Sequence, residues 1–283
     1  MTFSRVGVLG AGTMGSGIAQ VCALAGLQTT MVDLSLTAVE HGATTVRASL
    51  DRLMAKGQIS ETLRDATLSR IRGSTSYADL STANLVIEAV TEDVDIKLRI
   101  LKQLDGAIPS DTIIATNTSS ISITRLAAAV SRPHRFIGMH FFNPVPIMTL
   151  LEIVRGLRTS DETHTQAIAF AKLIGKVPIT AGNGPGFAVN RILCPMINEA
   201  IFALGEGLAT AADIDTAVKL GCNHPIGPLA LADLIGLDTL LSVMSVFYER
   251  FNDPKYRPAP LLKELVAAGY LGRKSGQGFF KYE

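Results

Sequence analysis

Hydrophobic residues form short continuous runs in the first part of the chain, with helical periodicities between them. Apolar runs typical of buried parallel strands cover residues 6–9, 29–32, 85–90, 112–116, 136–141, 150–154 and 176–180. Between them, residues 35–72 and 95–104 repeat apolar side chains at three- and four-residue steps, and in the second segment Ile96, Ile100, Leu101 and Leu104 are predicted to face inward. This alternation predicts an α/β fold with a doubly wound, mostly parallel sheet.

The pattern changes after the glycine and proline cluster at residues 182–186, which is the best candidate for a domain boundary. Beyond it the strand pattern fades, and helical patterns cover residues 187–204, 211–220, 228–235, 237–251 and 260–268. We therefore predict two domains, a sheet-containing domain over residues 1–185 and an all-α domain over residues 186–283.

A glycine-rich turn follows the first apolar run and opens a helical pattern. Glycine at the first position permits the tight turn, at the second it lets a pyrophosphate approach the backbone, and at the third it lets the helix pack closely on the sheet. The amide groups and the dipole of the helix start attract phosphates. This strand, turn and helix predict a dinucleotide site formed by Gly10, Ala11, Gly12, Thr13, Met14 and Gly15. The alternative is a turn that binds no ligand.

Asp33 ends the next apolar run, 18 residues after Gly15. A carboxylate at this position can accept a hydrogen bond from the ribose 2′-hydroxyl, and it repels a 2′-phosphate. No arginine lies in residues 34–39 to receive such a phosphate. The sequence therefore favours NAD over NADP.

Composition narrows the class of protein. Of the 283 residues, 47% are hydrophobic and 18% are charged, which is typical of a globular protein with a large core. The net charge is +1 and no basic stripe occurs, so we expect no nucleic acid or anionic membrane partner. The sequence contains no run of 18 apolar residues, so we expect no membrane span. The first predicted strand begins so early that we expect no signal peptide before it.

The cysteines argue against disulfides and metal. Cys22, Cys194 and Cys222 are odd in number and far apart, which fits the reducing cytoplasm. His224 lies near Cys222, but no second ligand pair accompanies them, so we expect no metal.

His140 and Glu152 form the candidate catalytic pair. His140 ends one predicted strand, Asn143 and Pro144 turn the chain, and Glu152 lies on the returning strand. A carboxylate among apolar residues needs a partner, and the imidazole is the nearest candidate. The imidazole could take the hydroxyl proton as a dinucleotide accepts hydride, while the carboxylate fixes its tautomer. The alternative is a buried histidine satisfied by another neighbour, with Glu152 on the surface.

Further polar residues follow strand ends or begin helices. Gly15, Glu92, residues 117–120 and His140 lie at or just past predicted strand ends, where ligands bind in such sheets, and we expect them to converge on one crevice. The hydroxyl groups of residues 116–120 could hold a substrate or only cap a helix. Asn190 could donate to a substrate carbonyl or tie the domains together. Ser49 and Lys56 share a helix face that could simply be solvated.

Five segments together resemble the L-3-hydroxyacyl-CoA dehydrogenase family over nearly the whole chain, and most closely its short bacterial 3-hydroxybutyryl-CoA branch. They are GAGTMGSGIAQ, NTSSISIT, FIGMHFFNPVPIMTLLEIV, GPGFAVNRILCPMINEA and GYLGRKSGQGFFKY. The resemblance implies a Rossmann-type NAD-binding domain, and a helical domain for substrate binding and homodimerisation. It also implies oxidation of the 3-hydroxyl group of an acyl-CoA to a ketone, or the reverse.

The resemblance also implies roles for individual residues. The catalytic positions of the family match His140, Glu152, Ser119 and Asn190. Its cofactor positions match the glycine turn, Asp33, Glu92, Lys97, Ser119, Asn143 and Lys274. Its CoA and substrate positions match Ser49, Lys56, Ser119 and Asn190. Two alternatives remain, namely a dehydrogenase of a CoA-free hydroxy acid and a catalytically idle NAD-binding protein.

Overall fold

The computed structural model describes residues 3–282, which divide into two compact units between Asn183 and Gly184. The division falls within the glycine and proline cluster of residues 182–186. Each unit has its own hydrophobic core.

The first unit is built on one eight-stranded sheet. Its strands are β1 (Arg5–Leu9), β2 (Gln28–Val32), β3 (Ile71–Ser74), β4 (Leu85–Glu88), β5 (Ile113–Thr116), β6 (Phe136–Phe141), β7 (Leu150–Val154) and β8 (Val177–Ala181). Their order across the sheet is β3-β2-β1-β4-β5-β6-β7-β8, and only the β6–β7 pairing is antiparallel. The predicted α/β class and the mostly parallel, Rossmann-type sheet are confirmed.

Helices connect the strands of this sheet. They are α1 (Thr13–Leu24), α2 (Leu36–Ala55), α3 (Glu61–Ser69), α4 (Val94–Ala107), α5 (Ile123–Ala127) and α6 (Asp161–Leu173). Several begin at side-chain caps, since Ser35, Ser60 and Asp93 each accept a hydrogen bond from the amide three residues later. Helix α1 is preceded by Gly12 at its N-cap position, and this residue has no side chain to cap the helix.

Two local predictions in this unit were wrong. The periodicity predicts helix as far as residue 72, but Ile71–Ser74 is the edge strand β3, paired with β2. Arg72 and Gly73 give this edge strand no apolar run. Ile96 was expected to face inward but is 37% exposed. Lys97 takes the inward position on α4, and at 100° per residue Ile96 then lies about a quarter turn away from the core.

In the part of the chain that the structure describes, the regular elements of the second unit are helices, apart from isolated β-bridges between Gly272 and Gln277 and between Gln277 and Lys281. Its helices are α7 (Val189–Gly205), α8 (Ala211–Gly221), α9 (Pro228–Ile235), α10 (Leu237–Phe251) and α11 (Pro260–Ala267). Helix α7 begins two residues later than predicted, because Phe187 adopts a left-handed φ of 51°. The buried carboxylate of Asp233 fixes the C-terminal segment by accepting from the amides of Phe279 and Phe280 and from the Tyr282 hydroxyl.

Between residues 3 and 282, no single helix is both long and apolar enough to cross a membrane. Helices α9 and α10 reach that length and composition only when taken together, and they meet at a bend of 97°.

Candidate active site

His140 and Glu152 lie directly opposite each other in the antiparallel pairing of β6 and β7. The imidazole Nδ1 is 2.6 Å from a Glu152 carboxylate oxygen. Both side chains are buried, with 6% of His140 and 0% of Glu152 exposed. The predicted contact between them is therefore present, and the alternative with Glu152 on the surface is excluded.

The local sequence explains this contact. Side chains directly opposite in an antiparallel pair project from the same face of the sheet. The chain reverses at Asn143 and Pro144, so that β7 returns beside β6. The ring of Phe142 lies 4.6 Å from the imidazole, centroid to centroid. The geometry thus presents an imidazole whose Nδ1 is held by a carboxylate in an apolar setting.

The glycine turn after β1 has the shape expected of a phosphate-binding turn. Gly10 has a φ of +106°, and a Cβ there would lie 2.5 Å from the Ala89 carbonyl oxygen. A Cβ on Gly15 would overlap the Gly10 carbonyl oxygen, whereas a Cβ on Gly12 would meet no atom within 4 Å. Only glycine suits the first and third positions, and the second leaves the backbone open to a ligand. These features fit a dinucleotide.

Asp33 lies beside the glycine turn, at the end of β2. One of its carboxylate oxygens accepts a hydrogen bond from the Ala11 amide at 2.7 Å, and the other accepts from the Leu34 amide at 2.7 Å. The carboxylate is only partly buried. It therefore lies where a ribose hydroxyl of a dinucleotide bound at the turn could reach it.

Glu92, Lys97 and Ser119 come together beyond the C-terminal ends of β4 and β5. One Glu92 oxygen accepts from the Ser119 amide at 2.7 Å and from its hydroxyl at 2.9 Å, and it also accepts from the Thr118 hydroxyl at 2.7 Å. The Lys97 ammonium is 3.8 Å from the other Glu92 oxygen. Three of the predicted cofactor positions thus form one polar cluster.

Glu88, to which the sequence pattern gave no role, anchors this cluster. Both of its carboxylate oxygens lie 2.7 Å from the Lys97 ammonium, and it also accepts from the Thr116 hydroxyl and the Val90 amide. Glu88 is 0% exposed. The signal was a single carboxylate within the apolar run of residues 85–90, since a buried carboxylate must be paired.

The sequence places Asn117 just past a strand end but indicates no individual role for its side chain. Its side-chain oxygen accepts a hydrogen bond from the Phe141 amide at 2.8 Å. This contact joins the loop after β5 to the end of β6, next to His140. One hydrogen bond thus joins the loop that carries Ser119 to the strand that carries His140.

The remaining predicted residues lie at separate positions. Asn143 is exposed in the loop after β6, Ser49 is half-buried on α2, and Lys56 is exposed at the end of that helix. In the second unit, Asn190 is half-buried in the first turn of α7. Lys274, also in that unit, forms an ion pair with Asp238 at 2.6 Å.

The Asp238 carboxyl responds to this ion pair. Burial by itself would raise its pKa, but hydrogen bonds from Lys274 and from the Thr239 amide outweigh that effect and lower the pKa. Lys274 is about half exposed. Its ammonium is thus held in place on its own unit.

All three cysteines are free thiols, and burial raises the pKa of Cys22 and of Cys194 to about 12. In the described part of the chain, no three His, Cys, Asp or Glu side chains cluster so as to hold a metal ion.

Comparison with protein families assigns both units. Residues 5–184 match the profile of the 3-hydroxyacyl-CoA dehydrogenase NAD binding domain, and residues 186–282 match that of the C-terminal domain. The chain belongs to the 3-hydroxyacyl-CoA dehydrogenase family. It is therefore an enzyme of this dehydrogenase class, and NAD is its cofactor.

Individual relatives cover the whole chain. A probable 3-hydroxybutyryl-CoA dehydrogenase of Bacillus subtilis is 48% identical over 283 residues, covering 100% of this chain and 99% of the relative. The human mitochondrial hydroxyacyl-coenzyme A dehydrogenase is 41% identical, covering 99% of this chain and 91% of the relative. The crystal structure of an (S)-3-hydroxybutyryl-CoA dehydrogenase from Ralstonia eutropha has a TM-score of 0.97 at 61% identity, covering 100% of both chains.

Proposed function

We propose that the protein interconverts (S)-3-hydroxybutyryl-CoA and acetoacetyl-CoA, with His140 as general acid and base and Glu152 as its partner. The contact between these two side chains, 2.6 Å long and buried, is the observation that carries the proposal. The substrate follows from the relatives, since those of Bacillus subtilis and Ralstonia eutropha are both described as 3-hydroxybutyryl-CoA dehydrogenases.

The reaction needs a proton acceptor beside a hydride acceptor. NAD supplies the hydride acceptor when it is bound. In the oxidising direction His140 takes the proton of the 3-hydroxyl group through Nε2, because Nδ1 faces Glu152. Glu152 keeps the imidazole in this tautomer and stabilises the imidazolium that forms. In the reducing direction the imidazolium returns the proton to the developing alkoxide.

Other residues of the first unit hold the cofactor and the substrate in this proposal. The glycine turn from Gly10 to Gly15 binds the pyrophosphate, and Asp33 accepts from the adenosine ribose. Glu92, Lys97 and Asn143 contact the rest of the cofactor, and Ser119 holds the 3-oxygen of the substrate. Ser49 and Lys56 bind CoA.

The second unit is assigned from the family resemblance. We propose that Asn190 contacts the substrate, that Lys274 contacts the cofactor, and that residues 186–283 serve in substrate binding and homodimerisation. Residues 1–185 then form the NAD-binding domain. Each assignment can be tested by single substitution.

Steady-state kinetics with NADH test the substrate. Acetoacetyl-CoA should be reduced with a kcat/KM at least about 10²-fold above that of free acetoacetate, because binding of the CoA portion contributes to the transition state. A series of C4 to C10 3-ketoacyl-CoA substrates then defines the acyl length. Equal rates on the free acid would indicate a CoA-free hydroxy acid dehydrogenase. NADH binding with no turnover of any substrate would indicate an idle NAD-binding protein.

A further inference from the structure

Lys176 is a buried lysine that none of the proposed roles uses. It lies immediately before β8 and is 7% exposed. Its ammonium donates to the carbonyl oxygen of Val145 at 2.5 Å and to that of Met148 at 2.6 Å. Both carbonyls belong to the loop of residues 142–149 between β6 and β7, which we call the β6–β7 loop.

The β6–β7 loop is folded so that it presents these two carbonyls together. The Pro144 carbonyl accepts from the amides of Ile147 and Met148, at 2.9 and 3.0 Å. This closes a tight turn within the loop. A single ammonium then joins the start of the turn to its end, and hydrogen bonds from a charged donor are stronger than those between neutral groups.

The other side of the loop packs on the helix that follows the glycine turn. Val145 is buried, and a Cβ on Gly17 of α1 would lie 2.8 Å from the Val145 Cβ. The loop and this helix thus approach more closely than any larger residue at position 17 would allow. Burial lowers the pKa of Lys176. The thiol of Cys22, also on α1, lies near the Lys176 ammonium and acts on this pKa in the opposite direction.

We propose that Lys176 is a positioning residue for hydride transfer, because its ammonium fixes the β6–β7 loop against α1. This loop carries Asn143 and continues directly from the strand that ends next to His140. Its position therefore sets the distance between the histidine and the glycine turn, both of which must serve one bound dinucleotide. The inference rests on the roles proposed above for His140 and Asn143.

Two substitutions of Lys176 and one matched control test this proposal. Lys176→Met removes the donors and keeps an unbranched apolar chain, whereas Lys176→Arg keeps a cation that can donate twice. Lys172→Met is the control, since Lys172 is exposed on α6 only four residues away. For each variant, kcat and KM are measured with acetoacetyl-CoA, NADH affinity is measured by fluorescence titration, and amide exchange is followed at Ile147 and Met148.

The expected pattern is a loss in kcat that follows the loss of order in the loop. Lys176→Met should lower kcat by about 10-fold to 10²-fold, with a smaller change in NADH affinity, since misplacement of reacting groups acts on the chemical step. Amide exchange at Ile147 and Met148 should accelerate strongly in the Met variant and less in the Arg variant. The loss of kcat should likewise be larger in the Met variant than in the Arg variant. Lys172→Met should match the wild type in every measurement.

Two results would overturn the proposal. One is a wild-type kcat in Lys176→Met; the other is a lowered kcat with unchanged exchange at Ile147 and Met148. If the Met variant does not fold, the Arg variant provides the same comparison of kcat with exchange. Amide exchange needs no substrate, so it tests whether Lys176 orders the β6–β7 loop even if acetoacetyl-CoA proves not to be the substrate.

Discussion

Glu88 and Glu152 are two fully buried carboxylates of the same sheet, and they differ in the group that each one faces. Glu88 lies 2.7 Å from the Lys97 ammonium and accepts two further hydrogen bonds. Glu152 lies 2.6 Å from the imidazole of His140. A lysine beside a carboxylate forms a fixed ion pair, whereas an imidazole can accept or donate a proton at the ring nitrogen that faces away from the carboxylate. Burial alone therefore does not distinguish the two carboxylates, but the partner that each one faces does.

The strand arrangement produces the difference. Glu88 ends a strand with a parallel neighbour on either side, and the lysine reaches it from the following helix. Glu152 lies in β7, which forms the single antiparallel pairing of the sheet, directly across from His140. The first arrangement ties a helix to the sheet, and the second places a histidine at the end of a strand with its partner already fixed.

The largest expected effect is that of His140→Gln. Loss of the general acid and base should lower kcat by about 10²-fold to 10⁴-fold. NADH affinity should stay the same, because the histidine does not hold the cofactor in this account. His41→Gln, at an exposed position on α2, is the matched control and should keep full activity. Retention of wild-type kcat in His140→Gln would exclude His140 as the base.

Glu152→Gln should have a smaller but still large effect. The imidazole remains, but the carboxylate that fixes its tautomer and stabilises its charged form is lost. We expect kcat to fall by about 10²-fold with the fold intact, as checked by circular dichroism and steady-state kinetics. If kcat stays within twofold of the wild type, Glu152 has only a structural role.

Glu88→Gln should act mainly on stability. Removing one partner leaves the Lys97 charge buried, which should lower the free energy of unfolding by about 3–5 kcal/mol in urea denaturation. Glu88→Gln combined with Lys97→Met removes both charges and should recover most of that loss. No recovery in the double variant would mean that Glu88 stabilises the fold through contacts other than the ion pair.

A third carboxylate, Asp33, is partly open to solvent, and its substitution should act mainly on cofactor binding and on the choice between NADH and NADPH. Asp33→Ala combined with Leu34→Arg removes the charge that repels a 2′-phosphate and adds a cation at a position that is 81% exposed. The ratio of kcat/KM with NADPH to that with NADH should rise by at least about tenfold. An unchanged ratio would contradict the role assigned to Asp33.

The sequence predicted most of the sheet because parallel strands are buried on both faces and appear as continuous apolar runs. Strand β3 was not predicted, because an edge strand that contains Arg72 and Gly73 has no continuous apolar run. Lys97 was assigned only from resemblance, since periodicity alone does not show that a lysine points into a core. The inward orientation of Lys97 depends on its ion pair with Glu88, and that contact forms only once the sheet and the helix are in place.

The candidate site was predictable to a similar extent. The contact between His140 and Glu152 could be inferred because a short turn joins their two strands. The strand ends also predicted that Glu92 and Ser119 lie close together. The hydrogen bonds between them could not be inferred, because 27 residues with a helix and a strand separate the two side chains. The role of Lys176 was equally hidden, since its two acceptors are backbone carbonyls that leave no trace in the sequence.

The pH dependence of kcat/KM for oxidation of 3-hydroxybutyryl-CoA by NAD tests the central claim most directly. In the wild type the rate should fall on the acidic side as one group takes up a proton, because only neutral imidazole accepts the hydroxyl proton. In His140→Gln this acidic limb should disappear from the residual rate, while Lys172→Met should keep it. An acidic limb that persists unchanged in His140→Gln would show that another group accepts the proton.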